Sequence, residues 1–480
     1  MTLAETGFPG WMELCGSVRP DVRVPMRDGA LAALTLWLPK GEGPFPVVLT
    51  TSLSRRRVTI DHPNVRSLLG AGFAVASADA RGRYESEGEL DPTYGEQSGR
   101  DMHDTVQWLA AQPWCSGAVG TFGGSHRAYY QTSMAKTGMP GALKAMATWT
   151  GGYRAGRTEG AGPPMSGGVI ALGTTLIWLP NEAGGVLDRL AATGVDVAAA
   201  KSTLARMRSH PRETFEHLPL LEAPITKFGD LRELFAYRLA RTSVPSDGVA
   251  VPPGEVITTP VFHEAGWFDH AAWMQIETFN RLREEAGTAA ARAGQHIVLG
   301  PWPHGMSFAD RLGDMYFGPE AGSAGSPVED LHARFFRKYL AGADVDVPAV
   351  TYFVMGRNEW RTSDVWPPAG VSRQRLYLRG RGAANSAAGD GLLSADAPGD
   401  DEPADEFRYD PADPVPTLGG ALDWQLVIPG MLAGPVEQGP VERRADVLCY
   451  TTEPLRSAAE ISGPVVLNLF ASTSAVDTDF

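Results

Sequence analysis

Gly120-Thr121-Phe122-Gly123-Gly124-Ser125 follows the short apolar run Ala118-Val119 and leads into a helix expected to run through Met134. A serine on a glycine-flanked turn between a strand and a helix lifts its hydroxyl above the end of a sheet. Glycines permit such a strained turn because they have no Cβ to clash. Ser125 is therefore a candidate nucleophile. Gly-x-Ser also occurs by chance in ordinary Gly-rich loops, so the reading depends on partners elsewhere in the chain. Position 127 is Arg, where the commoner Gly-x-Ser-x-Gly turn has its second glycine.

Working outward, the neighbouring segments alternate between strand and helix. Asp21–Pro25 and Ala30–Leu38 flank the turn Arg27-Asp28-Gly29, which predicts an opening hairpin. Pro46–Thr50 and Phe73–Ala78 are β-rich runs separated by a helical stretch at Val65–Leu69. Met102, Val106 and Leu109 fall at i, i+4 and i+7 and predict an amphipathic helix packed on the sheet. A strand near Leu143–Ala147 continues the series. This alternation implies a largely parallel sheet covered on both faces, in an α/β architecture.

Between Gly151 and Pro253 the rhythm breaks into Ala-, Gly- and Leu-rich sequence, with helical patches at Val186–Ala200 and Leu231–Arg241. That segment reads as a helical cap inserted into the sheet domain. Sheet rhythm returns at Pro260–Gly266, Ala271–Glu285, His296–Leu299 and Leu331–Leu340. Beyond Gly342, short alternating strands at Val350–Met355, Gln374–Leu378, Val447–Thr451 and Val465–Phe470 surround the small, polar stretch Gly380–Asp405. Strands with turn signals and no helices suggest an all-β sandwich. The expected division is 1–150 and 254–345 for the α/β core, 151–253 for the cap, and 346–480 for the β-domain.

The 480 residues are too many for one core, and 43% hydrophobic with 20% charged residues is an ordinary globular profile. Acidic residues outnumber basic ones 56 to 42, a net charge of −14. That balance argues against a nucleic-acid partner, because there is no basic surplus to neutralise phosphates. The three cysteines, Cys15, Cys115 and Cys449, are widely spaced and supply neither a metal-ligand pair nor a disulfide framework. Their number is compatible with a reducing cytoplasm. The N-terminus has no basic start followed by an apolar core, and no run approaches a membrane span.

An acyl-transfer serine needs a base to take its proton and an acid to hold that base in the right tautomer. In α/β-hydrolases the order along the chain is Ser, acid, His, each on a loop after a strand. Asp269, ending Pro260-Val-Phe-His-Glu-Ala-Gly-Trp-Phe-Asp269, fits the acid. His304, after His296-Ile-Val-Leu-Gly-Pro-Trp-Pro303, fits the base. Both follow expected strands, at the carboxyl edge where α/β sheets carry their chemistry. Glu264 is a rival acid but lies inside its strand. His126 adjoins Ser125, though a residue at that point of a helix start normally directs its side chain away. His103 falls within a helix and reads as structural.

In addition to this triad order, several further segments occur in a family-specific sequence. They are Val24-Pro25-Met26-Arg27-Asp28-Gly29, Asp79-Ala80-Arg81-Gly82 with Ser86-Glu87-Gly88-Glu89, and Gln112-Pro113-Trp114-Cys115. Gly266-Trp267-Phe268-Asp269, Gly300-Pro301-Trp302-Pro303-His304 and Tyr409-Asp410-Pro411-Ala412-Asp413-Pro414-Val415-Pro416 follow. With these landmarks the chain resembles the cocaine-esterase/X-Pro dipeptidyl-peptidase family of serine hydrolases. The resemblance implies an α/β-hydrolase core, a helical cap and a C-terminal jelly-roll-like domain. It further implies a Ser125–His304–Asp269 triad, with Asp79 and Arg81 in structural roles and Asp79 buried. No cofactor or metal is implied.

The chain departs from the family pattern at three places. Family members of the cocaine-esterase type carry a Pro-Tyr pair whose tyrosine hydroxyl joins the oxyanion hole, whereas Ser54 stands at that position here. A serine is shorter, which leaves the His126 amide as the clearer donor; loss of one donor slows chemistry by about 10²–10³. Arg55-Arg56-Arg57 next to it reads as a solvated loop. Gly123-Gly124-Ser125-His126-Arg127-Ala128 replaces the family's Gly-x-Ser-Tyr-x-Gly. Finally, the chain stops at Phe480 where relatives continue, so the β-domain is expected to be incomplete. Unpaired strand edges would invite association, which leaves a homodimer open.

The expected activity is hydrolysis of a small ester or amide through an acyl-enzyme. X-Pro dipeptidyl-peptidase activity is the alternative, although no acidic cluster in 151–253 stands out to bind a free α-amino group. A catalytically impaired scaffold is the second alternative. Trp149, Trp178 and Trp267 are candidates to line an apolar substrate pocket, and each could equally be core.

Overall fold

The computed structural model describes residues 14–53, 55–56, 63–90, 95–151, 165–166, 169–170, 172–173, 187–188, 190–217, 222, 254–305, 309–322, 325–421, 432–476 and 478. The chain opens with the antiparallel hairpin β1 (Cys15–Pro25) and β2 (Leu31–Pro39), closed by Pro25 opposite Leu31. It continues through β3 (Phe45–Ser52), α1 (Pro63–Gly70), β4 (Ala74–Asp79), α2 (Glu96–Ala110), β5 (Cys115–Gly124), α3 (His126–Ser133) and β6 (Leu143–Trp149). A two-residue hairpin, β7 (Met165–Ser166) with β8 (Val169–Ile170), and the helices α4 (Ala198–Ser209) and α5 (Pro211–Phe215) follow.

The helix expected over Val186–Ala200 is interrupted: Gly194 turns at φ 88°, and the Asp196 carboxylate accepts the Ala198 amide at 3.0 Å just before α4 begins. The left-handed turn, which glycine adopts at little cost, ends one helical run, and the aspartate satisfies a first-turn donor of the next. Leu231–Arg241 lies outside the described residues.

The main sheet resumes with β9 (Val261–Phe268), α6 (Ala272–Glu285), α7 (Ala289–Ala293) and β10 (Gln295–Pro303). After a short hairpin of β11 (Arg311–Leu312) and β12 (Met315–Tyr316) come α8 (Val328–Ala341), β13 (Val350–Val354) and β14 (Glu359–Ser363). The ten strands run in the order β1-β2-β4-β3-β5-β6-β9-β10-β13-β14, and every pairing from β4 to β13 is parallel. Met102, Val106 and Leu109 of α2 do pack on one face, together with Tyr130 and Met134. Val65, Leu68 and Leu69 of α1 and Phe335, Phe336 and Leu340 of α8 cover the other. Strands buried on both faces account for the continuous apolar runs in the sequence.

The strand expected to open the all-β region, Val350–Met355, instead extends this sheet, because it pairs in parallel with β10. Further on, β15 (Tyr377–Arg379) pairs with β16 (Leu392–Ser394). The segment 447–451 makes only the isolated bridges Asn385–Leu448 and Leu392–Thr451, and Val465–Phe470 joins no ladder among the described residues.

Two of the buried histidines, His263 and His296, stand on core strands of the sheet. His263 in β9 bridges Gln275 at 3.1 Å and Gln295 at 2.9 Å, and burial pushes its imidazole below the ordinary value. His296 in β10 contacts the Pro348 carbonyl at 2.9 Å and the Tyr339 hydroxyl at 3.0 Å; burial lowers it from 6.5 to about 4. An unfolded chain protonates both near pH 6.5 while the folded chain does not, so acid favours the unfolded state. Stability is therefore expected to fall as pH drops below 6.5. His296 contributes about 1 kcal/mol between pH 6.5 and 5.5, and His263 adds in the same sense. Denaturant melts at pH 7.5, 6.5 and 5.5 measure this; His296→Leu should flatten the profile, and an unchanged slope in that variant would contradict the assignment.

Candidate active site

Parallel strands place their carboxyl ends on one edge of the sheet, and this edge collects the residues singled out in the sequence. Ser125 follows β5 directly and caps the start of α3 with φ 54° and ψ −125°, a strained conformation for a residue with a side chain. Its amide donates to the Trp149 carbonyl at 2.9 Å, and its carbonyl accepts from Ala128 at 2.9 Å. Gly124 is required beneath it: a Cβ there would lie 2.1 Å from the Trp149 indole.

Asp269 follows β9 and His304 follows β10, the adjacent strand, with Phe268 opposite Pro303 in the ladder. The strands can draw this close only because position 266 is glycine, where a Cβ would meet the Trp302 carbonyl oxygen at 2.0 Å. His304 Nδ1 lies 3.0 Å from Asp269 Oδ1, and the Ala271 amide donates to the same oxygen at 2.8 Å. Asp269 is 4% exposed. Burial opposes its ionisation, but the charge and hydrogen bond of His304, then the charge of His270, hold its carboxyl below the ordinary range. An ionised carboxylate only accepts, so Nδ1 of His304 carries the proton and Nε2 is left as the basic nitrogen.

His270 was not singled out in the sequence, yet its ring lies against that of His304, with centroids 4.7 Å apart and planes 30° from parallel. Its Nδ1 is 3.6 Å from Asp269 Oδ1. The signal available was its adjacency to Asp269. Glu264, the rival acid, is buried within β9 and lies 3.4 Å from His332 Nε2 of α8, away from His304's carboxylate contact. His103 joins a partly exposed cluster with Arg27 and Asp104.

His126 is buried, and its Nε2 is 3.4 Å from the Ser52 hydroxyl at the end of β3. Burial, followed by the charges of Arg127, His304 and Arg83, pushes its imidazole well below the ordinary value, so it stays neutral.

Ser54 and Trp178 lie outside the described residues. Trp149 is core: it packs against Phe122 and His332. Trp267 donates to the Phe353 carbonyl at 3.0 Å and stacks on Trp366.

The loop after β3 is anchored in a way the sequence did not suggest. Arg56, expected in a solvated loop, is 1% exposed. Its guanidinium pairs with Asp79 at the end of β4 and with Glu85 at 2.5 Å, and its Nε donates to Thr35 at 3.1 Å. The Arg56 amide donates to Asp79 at 2.8 Å. Burial pushes the Asp79 carboxyl up to about 6 against the pull of Arg56, which leaves it ionised near neutral pH. Arg83 secures the same loop by donating to the Leu53 carbonyl at 3.2 Å.

Residues 28–306 match the family model for X-Pro dipeptidyl-peptidase (S15 family), and residues 342–480 match the X-Pro dipeptidyl-peptidase C-terminal non-catalytic domain. The chain belongs to the S15 family. This S15 chain is 34% identical to cocaine esterase of Rhodococcus sp. (strain MB1 Bresler), across 97% of its own length and 79% of that protein's. An alpha-amino acid ester hydrolase has a similar fold, with TM-score 0.69 at 20% identity, covering 96% of this chain and 77% of that one. An aminopeptidase from the marine sediment archaeon Thaumarchaeota archaeon gives TM-score 0.55 at 21% identity, covering 87% and 68%. Those two likenesses show the fold, an α/β-hydrolase. Membership of the S15 family makes the protein a serine hydrolase of small ester or peptide substrates. Among the described residues no helix is long and apolar enough to cross a membrane.

Proposed function

We propose that the protein cleaves carboxylic esters or amides through an acyl-enzyme, with Ser125 as nucleophile, His304 as base and Asp269 as its orienting acid. The observation that carries this is the Asp269–His304 hydrogen bond, on the sheet edge that also bears the strained Ser125 turn. Ser125 Oγ attacks the carbonyl carbon as its proton passes to His304 Nε2. Asp269 stabilises the imidazolium, and the His126 amide donates to the developing oxyanion, with Ser54 in the loop after β3 as the second candidate donor. His304 then protonates the leaving group, and in deacylation it takes a proton from water. These steps use side chains, the His126 backbone amide and water.

Identity to a cocaine esterase supports ester over peptide bonds. The family model's own description keeps X-Pro dipeptidyl-peptidase activity as the second reading. A panel of short-chain acyl esters, amides and an Ala-Pro anilide tests the choice. Turnover of acyl esters with at most weak release from the anilide is expected. Anilide cleavage without ester turnover would reverse the assignment, and failure of the folded protein to react with a fluorophosphonate would favour the catalytically impaired scaffold.

A further inference from the structure

Asp269, His270 and His304 each offer a ligand atom, and all three atoms lie within 4.8 Å of one another. His304 Nδ1 is 3.0 Å and His270 Nδ1 is 3.6 Å from the same oxygen, Asp269 Oδ1. Bonds of zinc to imidazole nitrogen and carboxylate oxygen, arranged tetrahedrally, separate ligand atoms by about 3.3 Å. The two observed distances straddle that value. Asp269 is buried, and its other oxygen, Oδ2, has no hydrogen-bond partner among the described residues. The two rings are part-exposed, with side chains 23% and 14% accessible, while His270 Nδ1 is itself buried, so an ion reaches that atom as the ring shifts. Two imidazoles and one carboxylate form a ligand set suited to zinc-class ions, with the fourth position left to water.

We propose that Asp269, His270 and His304 form a chelating site for a divalent zinc-class ion, and that occupying it switches the hydrolase off. His304 Nδ1 can bind a metal only after giving up its proton. The neutral ring loses that proton from Nδ1 and regains one from water at Nε2, so no net proton is released by that residue. The ring is then held in the tautomer whose Nε2 donates, and it cannot accept the proton of Ser125. The hydrogen bond that orients the base is replaced by a metal bridge between the same two residues. His270 decides whether this happens, because without it only a two-residue clasp remains. The silencing step rests on His304 being the base, as proposed above; the binding step does not.

Metal-stripped wild type, His270→Ala and His270→Phe are titrated with buffered Zn²⁺, with binding followed by calorimetry and hydrolysis of an acyl ester followed in parallel. Each protein is compared with its own metal-free rate, and the Phe variant keeps a ring against His304 while removing the ligand. Expected is one ion bound by wild type, loss of activity, recovery with EDTA, and a need for at least about 10-fold more zinc in both variants. Equal zinc affinity in the three proteins overturns the proposal. Binding that depends on His270 while the zinc-loaded wild type still turns over would uphold the chelate and instead remove His304 from the role of base.

Discussion

Ser125→Ala is expected to lower kcat by about 10³–10⁶-fold, to a residual rate set by binding and the oxyanion donors alone. Alanine removes a single oxygen and keeps the strained turn within reach, since the Ser125 amide bond to Trp149 and the carbonyl bond to Ala128 are backbone contacts. The fold should therefore survive, and the loss should fall on kcat with little change in KM. Steady-state kinetics with an acyl ester, beside fluorophosphonate labelling of both proteins, check this. Retention of more than about a tenth of the activity would remove the serine from the reaction. The opposite pattern, a raised KM with kcat intact, would mean that the hydroxyl only binds substrate.

Arg56→Ala is expected to cost about 3–5 kcal/mol of stability, the range for removing one partner of a buried ion pair. The guanidinium is 1% exposed and Asp79 is 2% exposed. Without the arginine side chain, Asp79 keeps the position-56 amide but loses its buried counter-charge, and Thr35 and the Pro20 carbonyl lose a donor. Replacing both charged groups by apolar residues of similar volume, as in Arg56→Met with Asp79→Leu, should restore much of the loss, because it removes the desolvation cost as well as the attraction. Denaturant unfolding at pH 7.5 measures both. A loss under about 1 kcal/mol in the single variant would place Arg56 among exposed ion pairs. The same clamp ties Arg56 to Asp79 at the carboxyl end of β4, on the sheet edge that carries Ser125, so hydrolysis should weaken along with stability.

Much of the core was legible because its periodicity is local. Met102, Val106 and Leu109 lie on one helical face in any globular context, and the face they cover is the one found. Position 350 was different: a short alternating strand after Gly342 reads the same whether it opens a new sheet or closes an old one. Only the pairing of Ile297 with Val350 settles its sheet. Arg56 was misread for a related reason. In sequence it is one of three adjacent arginines beside a turn, and its burial depends on Asp79, which is 23 residues away.

At the candidate site the division is similar. Residue types, their order and their positions after strands were enough to single out Ser125, Asp269 and His304, because hydrolytic chemistry restricts which side chains can serve and strand ends restrict where they can stand. The stacking of His270 on His304, the removal of Glu264 into a pair with His332, and the burial of Trp149 beneath Gly124 were decided only in three dimensions. Each depends on the register between strands distant in sequence, and a one-dimensional pattern carries no term for the spacing across a sheet.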